Sequence, residues 1–246
     1  MINQIYNHPE NYIKYIVIDI ICIIAYNFVA KKSTKNNMVN KMDFYEFLIY
    51  RFGYNAPINV GDIRYGNYSR PWIFLKLKEM VDKEKIKRFD TGIYYIPEKM
   101  PWGDSILSAR KIIEQRFISN GKEIYGYFAG LSLLNKAGLT TQMPNIIEVV
   151  TNNESTRVRD VKVGNQRVRA RRARTEVLKD NVGTLQFLDL MNMISPSTLD
   201  ETERLMLSKF IKNTDVTKDS VLLYAGIFPA KAMRNMVESG AIYELT

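Results

Sequence analysis

Cysteine and histidine each occur only once in this chain of 246 residues. Cys22 has no second cysteine with which to form an internal disulfide, and a cysteine-rich zinc site is excluded for the same reason. A two-histidine metal site is also excluded, and any Ser-His-Asp or Cys-His catalytic centre would have to use His8, near the N-terminus. We therefore expect neither histidine-based catalysis nor a metal site.

The motifs of phosphoryl-transfer enzymes are missing as well. A catalytic Mg²⁺ ion is held by clustered carboxylates, yet the sequence has no Asp-x-Asp pair, a single Asp-x-Glu pair at Asp82 and Glu84, and no Gly-Ser opening motif. A Walker loop of the form G-x-x-x-x-G-K-[ST] is also absent from the sequence. We expect a protein that is not an enzyme and that needs no cofactor.

A transmembrane helix is not expected from the apolar run at residues 15–30. The run has 16 residues where about 20 are needed, and it contains Asp19, which is costly at mid-bilayer. Residues 1–41 allow three interpretations: a strand or helix packed on the body, an artefactual extension upstream of a true start at Met38 or Met42, or a membrane-associating segment. The membrane is the least favoured because the rest of the chain is typical of a thiol-poor intracellular protein, so we expect a cytoplasmic location.

Positive charge is abundant but unevenly placed. The chain has 35 Lys and Arg against 26 Asp and Glu, a net charge of +9, while 46% hydrophobic residues are ordinary for a globular protein. Residues 157–179 hold nine basic and two acidic residues, or +7, whereas residues 180–246 hold six and nine, or −3. The excess predicts a polyanionic partner for one short segment.

Residues 42–98 show the pattern of three helices followed by a β-hairpin. Helical periodicity begins at Met42, a short second helix fits residues 59–65, and a third helix fits residues 70–82. Two β-rich runs then flank a turn that ends in Gly92. This order is typical of a winged helix-turn-helix, in which the third helix enters the DNA major groove.

Five cationic or aromatic side chains of this domain are candidate DNA contacts. Those of the third helix are Arg70, Trp72 and Lys76, and those of the wing are Lys87 and Arg88. An alternative stays open, because winged helices also bind proteins, Trp72 could simply cover the core, and residues 42–98 carry a net charge of only +1.

Residues 99–246 are predicted to form a mixed α/β domain with a helical tail. Asp104 is placed to cap a helix that runs to Ser119, and residues 127–137 are predicted to form a second helix. The remaining predicted elements are a strand at Ile146–Thr151 and helices at 182–194, 199–213 and 229–239.

A basic β-hairpin is predicted at residues 156–172, with its turn at Gly164-Asn165. Alternation along a strand places Arg167, Arg169 and Arg171 on one face, about 7 Å apart. A row of guanidinium groups at that spacing suits a phosphate backbone. A solvated edge strand and an acidic protein partner are the alternatives.

Two short motifs in the second domain carry a family resemblance. The segment GYFAGL at residues 126–131 and the loop LTTQMP at residues 139–144, followed by Val149–Asn152, resemble AbiEi-type antitoxins and their close bacterial relatives. In that family a winged helix-turn-helix precedes a domain with a small-residue helix, an L-[ST]-T-Q-x-P loop and a basic strand pair. The order here is the same, over about residues 42–180.

The resemblance implies an antitoxin of a type IV toxin–antitoxin (abortive infection) system. Such proteins are transcriptional autorepressors that bind double-stranded operator DNA, and they counter a nucleotidyltransferase-like toxin without a stable complex. By position, the family's DNA-contacting residues correspond to Ser69, Arg70, Trp72, Lys76, Lys87 and Arg88, and its C-terminal positive residues correspond to Arg167, Arg169, Arg171 and Arg172.

The expected fold is therefore α+β: an extension at residues 1–41, a winged helix-turn-helix at 42–98, and a C-terminal α/β domain at 99–246. We expect a DNA-binding antitoxin and repressor. The competing hypothesis is a non-catalytic adaptor that offers the winged helix and the arginine hairpin to other proteins.

Overall fold

The computed structural model describes residues 42–245, so the three interpretations of residues 1–41 lie outside the described residues. The fold is α+β, as predicted. It divides into two compact units. The first contains the described residues up to Arg88 together with Gly92–Ser105, and the second contains Phe89–Thr91 and the residues from Ile106 onward.

The first unit alternates helices with short strands. Between residues 44 and 95 the elements in chain order are α1 (Phe44–Phe52), β1 (Ile58–Asn59), α2 (Arg70–Asp82), β2 (Lys87–Asp90) and β3 (Ile93–Tyr95). The strands form a sheet in the order β1-β3-β2. The short helix predicted at residues 59–65 is a single 3₁₀ turn, Val60–Asp62.

Local sequence accounts for both helices of this unit. Asp43 and Glu46 form a capping box at the start of α1, which satisfies backbone donors that a helix leaves open. Ile73, Leu77 and Met80 make the buried stripe of α2, and Val81 beside them is partly buried. The buried sides of α1 and α2 share one apolar core, in which Leu48, Ile58, Leu77 and Ile96 are fully buried.

The helix predicted to begin at Asp104 begins later. Asp104 ends a two-stranded ladder of β4 (Lys99–Met100) and β5 (Gly103–Asp104), and α3 spans Ala109–Phe117. The Oγ of Ser108 accepts the capping hydrogen bond from the backbone N–H of Lys111. The prediction that Asp104 caps this helix was wrong because its carboxylate is held instead by two lysine side chains.

A four-stranded mixed sheet lies in the second unit. Its strands are β6 (Gly126–Ala129), β7 (Ile146–Thr151), β8 (Val158–Val163) and β9 (Gln166–Arg172), in the order β6-β7-β9-β8. Strands β7 and β9 run parallel, and the other pairs are antiparallel. The predicted strand at Ile146–Thr151 and the predicted basic hairpin are confirmed.

The helix predicted at residues 127–137 is half wrong, because its first residues form strand β6 and only α4 (Gly130–Lys136) is helical. Gly130, at φ +57°, lies where the strand becomes the helix, and a Cβ there would be 2.8 Å from Glu148 Cδ. Gly126 is crowded too, since a Cβ would collide with the backbone oxygens of Phe117 and Val150. The glycines that frame GYFAG thus permit the close packing of β6 against β7 and α3.

A helical tail completes the second unit with α5 (Val182–Met193), α6 (Glu201–Asn213), α7 (Lys218–Ala225) and α8 (Ala230–Glu238). Three of them match predicted helices within a few residues, while α7 was not predicted. Helix α5 is buried on nearly every side, which places its Asp189 inside the unit beside the sheet. Among residues 42–245, no helix combines the length and the apolar character needed to cross a bilayer.

Candidate nucleic-acid interface

Helix α2 presents a mixed cationic and apolar surface. Arg70 and Lys78 are exposed on it, and so are Phe74 and Leu75, whose side chains are 48% and 64% exposed. The exposed N-cap residue Ser69 precedes them. Sequence reasoning missed Phe74, Leu75 and Lys78, although their offset from the buried stripe of α2 places them on its outer side.

Trp72 is half-buried in an aromatic cluster that anchors the start of α2. Its ring stacks on Tyr68 at a centroid distance of 4.0 Å and on Tyr65 at 5.9 Å, and it meets Phe44 edge-on at 5.4 Å. Offset and edge-on aromatic pairs of this kind add to the stability that burial supplies. The placement favours the interpretation in which Trp72 covers the core and holds the helix.

Lys76 lies beside this cluster but shares a carboxylate. Its Nζ is 2.8 Å from Glu79 Oε2, and Lys83 Nζ is 2.7 Å from Glu79 Oε1. Hydrogen bonds from Lys76 and then Lys83 lower the pKa of Glu79 from 4.5 to about 2, and Glu79 in turn raises the pKa of Lys76. An approaching phosphate would therefore compete with Glu79 for both ammonium groups.

The two cations of β2, Lys87 and Arg88, differ in their surroundings. Lys87 Nζ is 3.0 Å from Asp104 Oδ2, and Lys99 Nζ is 2.7 Å from Asp104 Oδ1. Hydrogen bonds from Lys99 and then Lys87 lower the pKa of Asp104. Lys87 is half-buried in this arrangement, whereas Arg88 is exposed at the next position of β2.

The arginines of β9 alternate as predicted, with Val168 and Ala170 buried on the opposite face. Arg169 lies opposite Asp160 of β8 and grips it with two hydrogen bonds, Nε to Oδ1 at 2.9 Å and Nη2 to Oδ2 at 3.1 Å. Hydrogen bonding from the Arg169 guanidinium lowers the pKa of the Asp160 carboxyl, and the same bond raises the pKa of Arg169. The charge of Arg169 is thus largely compensated within the sheet.

Arg171 points into the molecule. Its Nη2 is 3.4 Å from Asp189 Oδ2, and its buried Nε is 3.7 Å from Glu148 Oε2. Asp189 is 3% exposed and also accepts a hydrogen bond from the Tyr127 hydroxyl at 3.2 Å. Burial, followed by the charge of Asp189, raises the pKa of Tyr127 well above its usual value. This network makes Arg171 a structural residue as well as a candidate contact.

Arg167 and Arg172 are the exposed arginines of β9. Two further exposed arginines, Arg157 before β8 and Arg174 after β9, were outside the predicted contact set. Their signal in the sequence is weak, because neither belongs to the alternating run. The predicted contacts on α2 and β2 belong to the first unit, and those on β9 belong to the second.

Metal-binding groups are not assembled here: within residues 42–245 no cluster of three or more His, Cys, Asp or Glu side chains is placed to hold an ion. No protein-family model matches the chain. None of the curated proteins matches it either.

Proposed function

We propose that residues 42–98 form a winged helix-turn-helix that binds double-stranded DNA, with α2 as the recognition helix and β2–β3 as the wing. The element order supports this: helix, strand, 3₁₀ turn, helix and hairpin, with β1 as third strand. The observation that carries the proposal is the free outer side of α2, where Arg70 and Lys78 are exposed near the helix start and middle. Recognition helices read base edges from such positions.

Arginines of the second unit supply the contribution that does not depend on DNA sequence. Arg167 and Arg172 are exposed, and cations of this kind bind phosphate and make affinity steeply salt-dependent. The hairpin thus adds affinity, and α2 adds selectivity.

A binding experiment with the full chain tests this proposal. We expect a duplex from the region upstream of its own gene to bind more tightly than a scrambled duplex in fluorescence anisotropy. R70A should weaken that preference, whereas R51A, which removes an exposed arginine at the end of α1, should not. Equal loss in both variants, or no preference for the upstream duplex, would contradict the proposal.

In line with the AbiEi resemblance, we propose that the protein is a type IV antitoxin and autorepressor. It would counter a nucleotidyltransferase-like toxin without forming a stable complex. Expressed alone, a nucleotidyltransferase-like protein encoded next to this gene should inhibit growth, and co-expression of the present protein should restore that growth. R70A should relieve repression of the promoter that the two genes share. Unrestored growth would remove the antitoxin part and leave DNA binding standing.

A second function, the non-catalytic adaptor, is favoured by one observation. Phe74 and Leu75 are exposed on the same side of α2 as Arg70 and Lys78, and aromatic and apolar groups beside arginine are typical of protein interfaces. F74S would separate the two, because it should abolish binding to a protein partner while changing duplex affinity little.

A further inference from the structure

A cleft in the second unit gathers four arginines around a polar floor. Its volume is about 250 Å³. The lining residues are Tyr127, Val150, Arg157, Val158, Arg171, Arg172, Arg174 and Asp189. Four cationic side chains against one carboxylate give the lining a net charge of +3.

Backbone geometry places two of these arginines side by side. The N–H of Arg172 donates to the carbonyl oxygen of Arg157 at 3.2 Å, so the start of β8 and the end of β9 project their side chains from adjacent points. Arg174 follows two residues later and is held by Ile227 O at 3.5 Å and by the ring of Phe228, whose centroid lies 5.3 Å from Arg174 Cζ.

Arg171 brings an unpaired hydrogen-bond donor to the floor of the cleft. Its Nε is buried without a hydrogen-bond acceptor among the described residues, and the nearest carboxylate oxygen is 3.7 Å away. A buried guanidinium donor without an acceptor is costly. Asp189 and Glu148 are the two carboxylates beside this side chain, and the four arginines outnumber them, so the cleft remains cationic.

We propose that this cleft binds the terminal phosphate or diphosphate group of a small ligand. A terminal phosphate carries a charge of about −1.5 to −2 and three acceptor oxygens, which match a cleft of net +3 better than the single charge of an internal phosphodiester. The volume is below the roughly 300–1,000 Å³ of pockets that enclose drug-sized ligands, so the phosphate end enters and the remainder of the ligand stays outside. The inference depends on the second unit alone and not on DNA binding by α2.

Isothermal titration calorimetry on the full chain tests it, with inorganic pyrophosphate and a nucleoside triphosphate as probes. We expect binding at one site per chain. R157Q/R172Q should raise the dissociation constant at least about tenfold, because the removal of one charged hydrogen bond is worth about that factor. The control K162Q/K209Q removes the same charge from exposed lysines outside the cleft and should change it little.

The two probes distinguish the ligand's source: equal affinity indicates that the phosphate end alone is bound, and tighter nucleotide binding indicates added interactions with the nucleoside. Absence of binding by both probes, or equal weakening in the control, would overturn the inference. So would a cleft variant that loses only duplex affinity, since the arginines would then contact an internal DNA backbone. Failure of R70A to affect duplex binding would count against the proposed function and leave this inference intact.

Discussion

The cations of α2 and those of β9 are arranged in opposite ways. On α2, Lys76 and Lys83 share the carboxylate of Glu79. Arg70 and Lys78 are exposed and take no part in that ion pair. On β9, the middle arginines are compensated, Arg169 by a neighbouring strand and Arg171 by a helix packed on the sheet. A helix therefore compensates its charges along its own surface, whereas a strand does so through its neighbours.

In residues 157–179, which carry most of the net positive charge, several cations are paired with carboxylates. The formal charge of this segment therefore overstates the charge that is available to a partner. Residues 157–179 carry +7, yet two arginines of β9 and one of β8 are each paired with a carboxylate. Arg159 of β8 is held by the buried Glu154 at 2.9 Å. The exposed cations available to a partner are those at the strand ends and on the outer side of α2.

The largest expected effect separates two arginines on the same face of β9. R171A should lower the free energy of unfolding by about 1–3 kcal/mol, because Asp189 and Tyr127 would be left buried without it. R167A should change it by no more than about 0.5 kcal/mol, as for an exposed surface residue. Urea denaturation followed by circular dichroism measures both, and equal losses would refute the distinction.

Substitutions on α2 and on β9 should change DNA binding in different ways. R70A should cost about 1–3 kcal/mol for a specific base contact and relax sequence preference. R172A should weaken binding to all duplexes alike and reduce the slope of log K against log salt by about one for each phosphate that is no longer neutralised. Anisotropy titrations at several salt concentrations give both quantities. If R172A altered selectivity and R70A did not, the roles assigned to the two regions would be reversed.

Removing the shared carboxylate on α2 should have a smaller effect. E79Q releases Lys76 and Lys83 from their ion pairs, so we expect duplex affinity to rise by up to about fivefold, the upper range for a surface pair. E114Q removes an exposed carboxylate that pairs with Arg110 in the second unit and is the matched control. Unchanged affinity in E79Q would show that Lys76 does not face DNA.

The smallest expected effect is a pH dependence of stability. The pKa of Glu79 falls from 4.5 to about 2 on folding, so its ion pairs stabilise the fold fully above about pH 4.5 and this contribution is lost as the pH falls toward 2. The difference in unfolding free energy between wild type and E79Q should therefore shrink as the pH falls below about 4.5. A difference that stayed constant down to the lowest pH at which the protein folds would contradict the lowered pKa.

The sequence predicted the elements whose signals are local. Periodicity found helix α2, and alternation found the hairpin of β8 and β9. The side chains of Asp43 and Asp200, which cap α1 and α6, are local signals of the same kind. Prediction failed where a neighbour decided the conformation: the apolar, small residues of GYFAG fit a helix or a strand until β7 provides hydrogen-bond partners.

The candidate contacts were predicted by residue type, but their availability was not. Lys76, Arg169 and Arg171 have the charge and spacing that phosphate binding needs, and each is paired with a carboxylate. Asp189 is 18 residues beyond Arg171, and no local sequence pattern predicts their contact. The exposed Phe74 and Leu75 could have been found by placing all of α2 on a helical wheel.

By itself, the amino-acid sequence determined an α+β chain with two regions of different charge, one cysteine, one histidine and a run of alternating arginines. These properties depend on composition and on interactions within a few residues. The tertiary structure alone decided which cations are compensated, and it gathered Arg157, Arg171, Arg172 and Arg174 around one cleft. Electrostatic attraction depends on distance in space, which strand pairing and helix packing set for residues far apart in the chain.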